Sequence, residues 1–100
     1  MIYRLEIRHA AKREFDDAID WYNAEDPLLG DKFIFAIEKT LYDLTRSPNR
    51  FPIVFGSSVR RATVQRFPYS IFFVVKTELV VVISIFNDSR NPIIWRGRID

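Results

Sequence analysis

The 100-residue chain contains no cysteine and only one histidine. The absence of cysteine excludes disulfide bonds, thiolate nucleophiles and cysteine-based zinc sites, and a single histidine excludes a metal site built from several histidines. With three glycines and one histidine, the chain also cannot assemble a glycine-rich phosphate loop, a dinucleotide-binding fingerprint or a Ser-His-Asp triad. We therefore expect no metal, no cofactor and no small-molecule substrate.

Long apolar runs are also missing. The longest, such as Ile71–Val75 and Leu79–Ile83, contain five residues each, whereas a helix needs roughly 20 to span a bilayer. Charges at Arg4, Glu6 and Arg8 interrupt the apolar stretch that a signal peptide would require. These observations predict a cytoplasmic protein that has no membrane partner.

The composition that remains is that of one folded domain. Hydrophobic residues make up 48% of the chain and aromatic residues 15%, so we expect residues 1–100 to form a single domain. The net charge of +2 is unevenly placed, because residues 1–50 hold 8 basic and 10 acidic side chains and residues 51–100 hold 7 and 3. A basic second half favours an acidic peptide or a nucleic acid as partner, although such an asymmetry is also compatible with solubility alone.

Hydrophobic periodicity divides the first half of the chain into a strand and two helices. Residues 3–8 alternate between apolar and charged side chains, which predicts a strand with one buried face. Apolar spacings of three and four predict helices over about residues 10–24 and about residues 28–45. Between them Asp26 is a candidate N-cap and Pro27 a first helical residue. Two antiparallel helices joined by so short a turn form an αα-hairpin.

The second half of the chain is dominated by β signals. Three strands are predicted, over residues 59–67, 69–76 and 79–86, followed by a loop over residues 87–92 and a tail over residues 93–100. Thr77-Glu78 is the two-residue hairpin loop between the last two strands, whose near-continuous apolar character predicts burial on both faces. For the tail, the sequence is compatible with a short strand, a helical turn or disorder. The fold class is α+β, in the order β-α-α-β-β-β: an N-terminal strand, an antiparallel αα-hairpin and a three-stranded antiparallel meander forming one small sheet, with a short C-terminal tail.

Short motifs run in order through nearly the whole chain and carry a family resemblance. They are residues 11–22, Pro27-Leu28-Leu29-Gly30 followed by Phe33, Pro48 with Phe51-Pro52, Arg60-Arg61, Arg66-Phe67-Pro68-Tyr69, Ser89-Arg90-Asn91-Pro92 and Trp95. As an ordered set they resemble the RelE/ParE superfamily of type II toxins, which bacterial operons pair with an antitoxin. The Trp21-Tyr22, Leu29-Gly30 and Arg66–Tyr69 segments resemble its ParE-like branch, the plasmid-stabilisation toxins.

The resemblance implies a small sheet with a helical hairpin against one face, and an antitoxin that wraps the toxin. RelE-like members cut mRNA on the ribosome, whereas ParE-like members poison DNA gyrase. We therefore expect an inhibitor of DNA gyrase that is neutralised by its cognate antitoxin. Two alternatives stay open: a ribosome-dependent mRNA endonuclease, and a non-toxic remnant that only binds its antitoxin.

A nuclease would need a general base, and the sequence offers no evident one. Many relatives carry a histidine at the position of Asn87, and a neutral amide cannot exchange a proton near pH 7. His9 lies at the strand-to-helix junction, far in sequence from the basic half, and is interpreted as a helix-start or surface residue. Tyr69 would need a strongly shifted pKa to act as a base. The sequence therefore favours a binding protein over an enzyme.

The candidate site residues are mostly arginines. We expect these residues to bind the target or the antitoxin: Arg60, Arg61, Arg66, Tyr69, Arg90, Trp95 and Arg98. If the chain is a nuclease, Arg61, Arg66 and Arg90 are the candidates for stabilising phosphate charge, and no catalytic residue is otherwise assigned. Exposed arginines are also ordinary strand residues, so a structural role stays open. Strand alternation places Arg60 and Arg66 on one face and Arg61 on the other unless a bulge intervenes.

Overall fold

The computed structural model describes residues 2–98. The chain runs through β1 (Arg4–Ile7), α1 (His9–Glu25), α2 (Pro27–Arg46), a 3-10 turn (Pro48–Arg50), β2 (Ile53–Phe55), β3 (Val59–Thr63), β4 (Tyr69–Lys76), β5 (Leu79–Asn87) and α3 (Ile93–Arg96). The predicted α+β class and helical hairpin are therefore confirmed.

The hairpin turn follows the capping chemistry of its sequence. The backbone N–H of Leu28 donates to Oδ1 of Asp26 at 2.9 Å, and Pro27 occupies the first turn of α2, where its missing N–H costs nothing. Gly30 lets the two helices approach closely, because a Cβ there would lie 1.8 Å from Oδ1 of Asn23. Asp26 and Gly30 together fix where α2 begins and how near it lies to α1.

The sheet differs from the predicted three-stranded antiparallel meander. It has five strands in the order β1-β5-β4-β3-β2, and it is mixed, because β1 pairs parallel to β5 with Arg4 opposite Leu79 and Ile7 opposite Val82. The additional strand, β2, has three residues and pairs irregularly with β3. Such a short strand, directly after Pro52, carries too little periodicity to be recognised in the sequence.

The strand predicted over residues 59–67 is wrong beyond Thr63. The N–H of Val64 donates to the carbonyl of Tyr69 at 3.0 Å, and Arg66 adopts a φ of 70°, so the chain turns there. Pro68 reinforces the turn because it has no N–H to contribute to a ladder. We call residues 64–68 the β3–β4 turn.

Both faces of the sheet are covered, as the apolar character of β4 and β5 predicted. One face packs against α1 and α2 through a core that includes Phe33, Ile37 and Phe73. The other face carries a smaller cluster into which α3 inserts Trp95, whose ring stacks on Phe72 with centroids 4.2 Å apart. Within the predicted tail, the structure thus selects a helical turn up to Arg96, and residues 99–100 lie outside the described residues.

Residues 2–98 contain neither a helix that could span a membrane nor a cluster of metal-binding side chains. None of their helices is both long and apolar enough to cross a membrane. The same residues contain no group of three or more histidine, aspartate or glutamate side chains placed to hold a metal ion.

Candidate functional site

A cleft of about 490 Å³ opens between α1 and the carboxyl end of β5. Its walls come from α1, from the start of β4 and from the loop after β5; the lining residues are Glu14, Asp17, Ala18, Trp21, Tyr22, Pro68, Tyr69, Ile85, Phe86, Asn87 and Arg90. We call it the α1 cleft. It brings together Tyr69 and Arg90, two of the predicted site residues, with Asn87 between them.

Aromatic rings form an apolar floor for the α1 cleft. Tyr22 is buried and packs against Phe67 and Tyr69, with ring centroids 5.2 and 6.3 Å away. Burial, and then the neighbouring Tyr69 phenol, raise the pKa of Tyr22 above its usual value of 10.0, so its hydroxyl stays protonated at physiological pH. At the rim, 59% of Trp21 is exposed. The cleft therefore offers an aromatic surface on which a partner could stack.

Arg90 lies in a loop that is held by hydrogen bonds between its own residues. Oδ1 of Asn87 accepts from the N–H and the hydroxyl of Ser89 at 2.9 and 2.7 Å, and the N–H of Arg90 donates to the carbonyl of Asn87 at 3.1 Å. The guanidinium lies 5.4 Å from the centre of the Phe86 ring. No carboxylate within residues 2–98 pairs with Arg90, so its charge is available to a partner.

Arg61 lies on the opposite face of the sheet from the helices and is already engaged. Its Nε donates to the Ser70 hydroxyl at 2.9 Å, and the same hydroxyl donates to Oδ1 of Asp88 at 2.7 Å. The Arg61 guanidinium also lies 3.4 Å from that carboxylate. Asp88 therefore offsets the charge of Arg61 and would repel a phosphate approaching it.

Strand alternation does not apply to Arg66, because β3 ends at Thr63. Arg60 lies on the helix side and donates to the carbonyls of Asn49 and Phe51 at 3.1 and 2.6 Å, which ties the 3-10 turn to the sheet. Arg66 lies in the β3–β4 turn, exposed, beside α2. Of the two, Arg60 has a structural role and Arg66 faces outward.

Arg98 and Trp95 hold the end of the chain onto the domain. The Arg98 guanidinium donates to both carboxylate oxygens of Glu14 at 3.1 and 3.2 Å and to the carbonyl of Ile83 at 3.3 Å. Trp95 is only 2% exposed. A buried indole and an engaged guanidinium are poor first contacts for a partner, so the structure gives both residues a structural role.

The amino-acid sequence matches the family described as ParE toxin of type II toxin-antitoxin system, parDE, over residues 5–92. The chain belongs to this family. The match covers both long helices and all five strands except Arg4 of β1, so it includes the α1 cleft and the β3–β4 turn.

Solved structures resemble the fold of this ParE-family chain. The chromosomal ParDE toxin–antitoxin system from P. aeruginosa aligns with a TM-score of 0.77 and 22% identity, covering 86% of this chain and 96% of that one. A free-state arginine-to-alanine double mutant of E. coli toxin RelE aligns with a TM-score of 0.68 and 16% identity over the whole of both chains. No curated protein sequence matches the chain.

Three residues of this ParE-family chain matter more than sequence reasoning indicated. Glu14 anchors Arg98, and its spacing of three from Ala11 and four from Ala18 along α1 is the signal that could have identified it. Asp88 neutralises Arg61, which no local pattern reveals. Trp21 lies exposed at the rim of the α1 cleft.

Proposed function

We propose that this type II toxin acts by binding DNA gyrase, that its cognate antitoxin neutralises it, and that it does not cleave RNA. The proposal uses the α1 cleft as the surface that meets the target. Arg90 would pair with an acidic side chain of the target, and the exposed Trp21 would pack against an apolar group beside it. Tryptophan and arginine are the residue types that most often dominate protein–protein interfaces.

The separation of the three candidate nuclease arginines carries this proposal. Metal-free RNA cleavage needs cationic groups around one phosphate and a base within hydrogen-bonding reach of the 2′-hydroxyl. Arg61 pairs with Asp88 on the second face of the sheet, Arg66 borders α2, and Arg90 borders α1. Arg66 and Arg90 line cavities that share no residue, and Asp88 offsets the charge of Arg61. This arrangement supports binding over catalysis.

The first test is the order in which syntheses stop after induction without antitoxin. We expect DNA synthesis to stop within the first minutes, before protein synthesis, together with a DNA-damage response. Purified toxin should also inhibit supercoiling by gyrase. If protein synthesis stops first and mRNA is cut, the endonuclease alternative replaces the proposal. If neither synthesis changes, the chain is an antitoxin-binding remnant.

The second test is whether gyrase inhibition depends on the α1 cleft. Arg90→Ala should raise the toxin concentration needed for half-inhibition of supercoiling by about tenfold or more, because it removes a charge that the target would pair with. Arg50→Ala is a matched control: Arg50 is also exposed, its guanidinium lies 5.0 Å from the centre of the Phe51 ring, and it is outside the cleft. Equal effects of the two substitutions would remove the cleft from the proposal.

A further inference from the structure

A small cavity of about 120 Å³ opens beside the end of β4, whereas the α1 cleft lies at the start of that strand. We call it the basic pocket. Its lining residues are Arg8, Ser58, Val74, Val75, Lys76, Ile83 and Arg98. None of them lines the α1 cleft, so the basic pocket is a separate feature of the molecule.

Four segments that are far apart in the sequence supply the polar side chains of the basic pocket. Arg8 follows β1, Ser58 ends the turn between β2 and β3, Lys76 ends β4, and Arg98 follows α3. No carboxylate is among the lining residues. Three cationic side chains and a hydroxyl thus surround one cavity, which favours an anion as its occupant.

The cations of the basic pocket differ in how far the domain already offsets their charge. Arg98 pairs with Glu14 at 3.1 Å, so it closes the pocket without contributing a full charge. Lys76 is exposed and forms no ion pair with any residue from 2 to 98. The pocket therefore keeps a cation whose charge no described carboxylate offsets.

The floor of the basic pocket is apolar and its volume is small. Val74 and Ile83 are buried, and a low-dielectric floor strengthens the attraction between the cations and an anion. The cavity of about 120 Å³ equals the liquid volume of roughly four water molecules, at about 30 Å³ each. It accommodates a compact anion but neither a nucleobase nor a helix of another protein.

The arrangement of donors selects a tetrahedral anion. A planar carboxylate is matched by the edge of a single guanidinium, which forms two parallel hydrogen bonds to it. In the basic pocket the donors Arg8, Ser58 and Lys76 come from three different segments. A phosphate group presents several acceptor oxygens in different directions, so it meets donors on several sides at once.

The charge of the whole chain also directs phosphate toward the sheet. Residues 9–46, which form the hairpin, hold 5 basic and 9 acidic side chains, whereas the rest of the chain holds 10 basic and 4 acidic ones. The hairpin is therefore negative and the sheet with its loops is positive. Such a separation repels phosphates from the helices and attracts them to the side where the basic pocket lies.

We propose that the basic pocket binds a phosphate group, with Lys76, Arg8 and the Ser58 hydroxyl as its contacts. The phosphate has one of two sources: the backbone of DNA, or a small phosphate compound in solution. The proposal goes beyond gyrase inhibition and does not depend on it. If gyrase is the target, the DNA that gyrase holds supplies the backbone phosphates.

The first test titrates the full chain with inorganic phosphate at constant ionic strength and follows its amide chemical shifts. We expect saturable changes centred on Arg8, Ser58 and Lys76. Acetate at the same ionic strength should leave these signals unchanged, because it is planar. Changes spread over the whole basic surface, or equal changes with acetate, would overturn the proposal.

Two pairs of variants compare the pocket with a matched site outside it. Ser58→Asp should raise the Kd for phosphate by about tenfold or more, whereas Ser57→Asp places the same charge in the same turn outside the lining and should change it by less than about threefold. Lys76→Gln should raise the Kd by about fivefold or more. Lys32→Gln removes an exposed lysine from α2 and should have little effect.

Ser57, Ser58, Lys32 and Lys76 are all exposed, so these variants are expected to fold, which circular dichroism and melting temperature verify. Equal Kd values for Ser58→Asp and Ser57→Asp would remove the pocket as the site. The same conclusion would follow from equal values for Lys76→Gln and Lys32→Gln.

A short DNA duplex distinguishes the two sources. If the backbone is the source, the duplex binds, phosphate competes with it, and Lys76→Gln lowers the slope of log affinity against log salt by about 0.9. If phosphate binds and the duplex does not, the source is a small phosphate compound. Binding of neither overturns the proposal. None of these measurements contains gyrase, so their failure is distinguishable from failure of the proposed function.

Discussion

The five candidate arginines have the same guanidinium group, but each lies in different surroundings. Arg60 binds backbone carbonyls, Arg61 pairs with Asp88, Arg98 pairs with Glu14, and Arg66 and Arg90 face outward without a carboxylate partner within residues 2–98. A guanidinium that has already satisfied its donors inside the domain contributes to stability. One that has not is available to a partner. At the scale of the residue, the neighbouring groups decide the role.

The surroundings of Trp95 allow a prediction about stability at the same scale. Its ring is buried against Phe72 and Phe55, yet the indole Nε1 has no hydrogen-bond partner within the described residues. An unpaired buried N–H costs about 1–3 kcal/mol, and Trp95→Phe removes it while keeping a stacked ring. We expect Trp95→Phe to lower the free energy of unfolding by less than about 1.5 kcal/mol, and Trp95→Ala by about 3–5 kcal/mol.

Urea unfolding followed by circular dichroism measures both values. A loss in Trp95→Phe as large as in Trp95→Ala would mean that the indole N–H is satisfied after all.

At the scale of the element, α1 closes part of a sheet edge. β1 pairs with β5 only from Leu79 to Val82. Beyond that point Glu14 accepts from the N–H of Ile85 at 3.2 Å and from the Ser84 hydroxyl at 2.8 Å. Arg98 donates to both oxygens of the same carboxylate. Side chains thus take the place of a strand, which protects this edge from pairing with another chain.

Loss of the Glu14 carboxylate should therefore loosen both the sheet edge and the C-terminal segment. Its side chain is 15% exposed and that of Arg98 is 24% exposed, so Glu14→Ala leaves a mostly buried cation unpaired. We expect a loss of about 3–5 kcal/mol in the free energy of unfolding, and faster hydrogen exchange at the Ile85 amide.

The control for this experiment is Asp16→Ala on the exposed face of α1. The Lys12–Asp16 pair has side chains 58% and 52% exposed, so its loss should cost less than about 1 kcal/mol. Similar losses in the two variants would show that Glu14 is an ordinary surface residue.

The close approach of the two helices at Gly30 allows a further prediction at this scale. The atoms nearest to a Cβ at Gly30 all belong to the carboxamide group of Asn23. We expect Gly30→Ala to destabilise the native chain by about 1 kcal/mol through this overlap. In an Asn23→Ala background the same substitution should stabilise by about 0.5–1 kcal/mol, because alanine is the better helix former.

A double-mutant cycle from thermal or urea unfolding checks this reversal of sign. An identical effect of Gly30→Ala in both backgrounds would place the constraint on the helix spacing somewhere other than Asn23.

At the scale of the whole molecule, the sheet sets apart the surfaces that the chain can use. The α1 cleft and the exposed Arg66 beside α2 lie on the helix side, whereas Arg61 lies on the second face, paired with Asp88. The basic charge that the sequence places in its second half is therefore divided among several surfaces. This division favours contacts with more than one partner over one site that gathers all of the basic charge.

Much of the fold was predictable because its signals are local. The apolar stripes of α1 and α2, the Asp26-Pro27 cap and the continuous apolar runs of β4 and β5 each report on neighbouring residues only. The errors came where distant pairing decides: β2 forms only against β3, and β1 becomes parallel only beside β5. Of the predicted site residues, Tyr69 and Arg90 line one cleft, and their binding role stays a prediction.

The amino-acid sequence by itself determined the α+β class, the helical hairpin, the burial of β4 and β5 on both faces, and the family. These follow from periodicity, capping and ordered motifs, which act over a few residues at a time. Only the tertiary structure decided which arginines are free, because their partners lie far along the chain: Asp88 is 27 residues from Arg61, and Glu14 is 84 residues from Arg98. Pairing over such separations depends on how the strands and helices are brought together, and no local pattern records it.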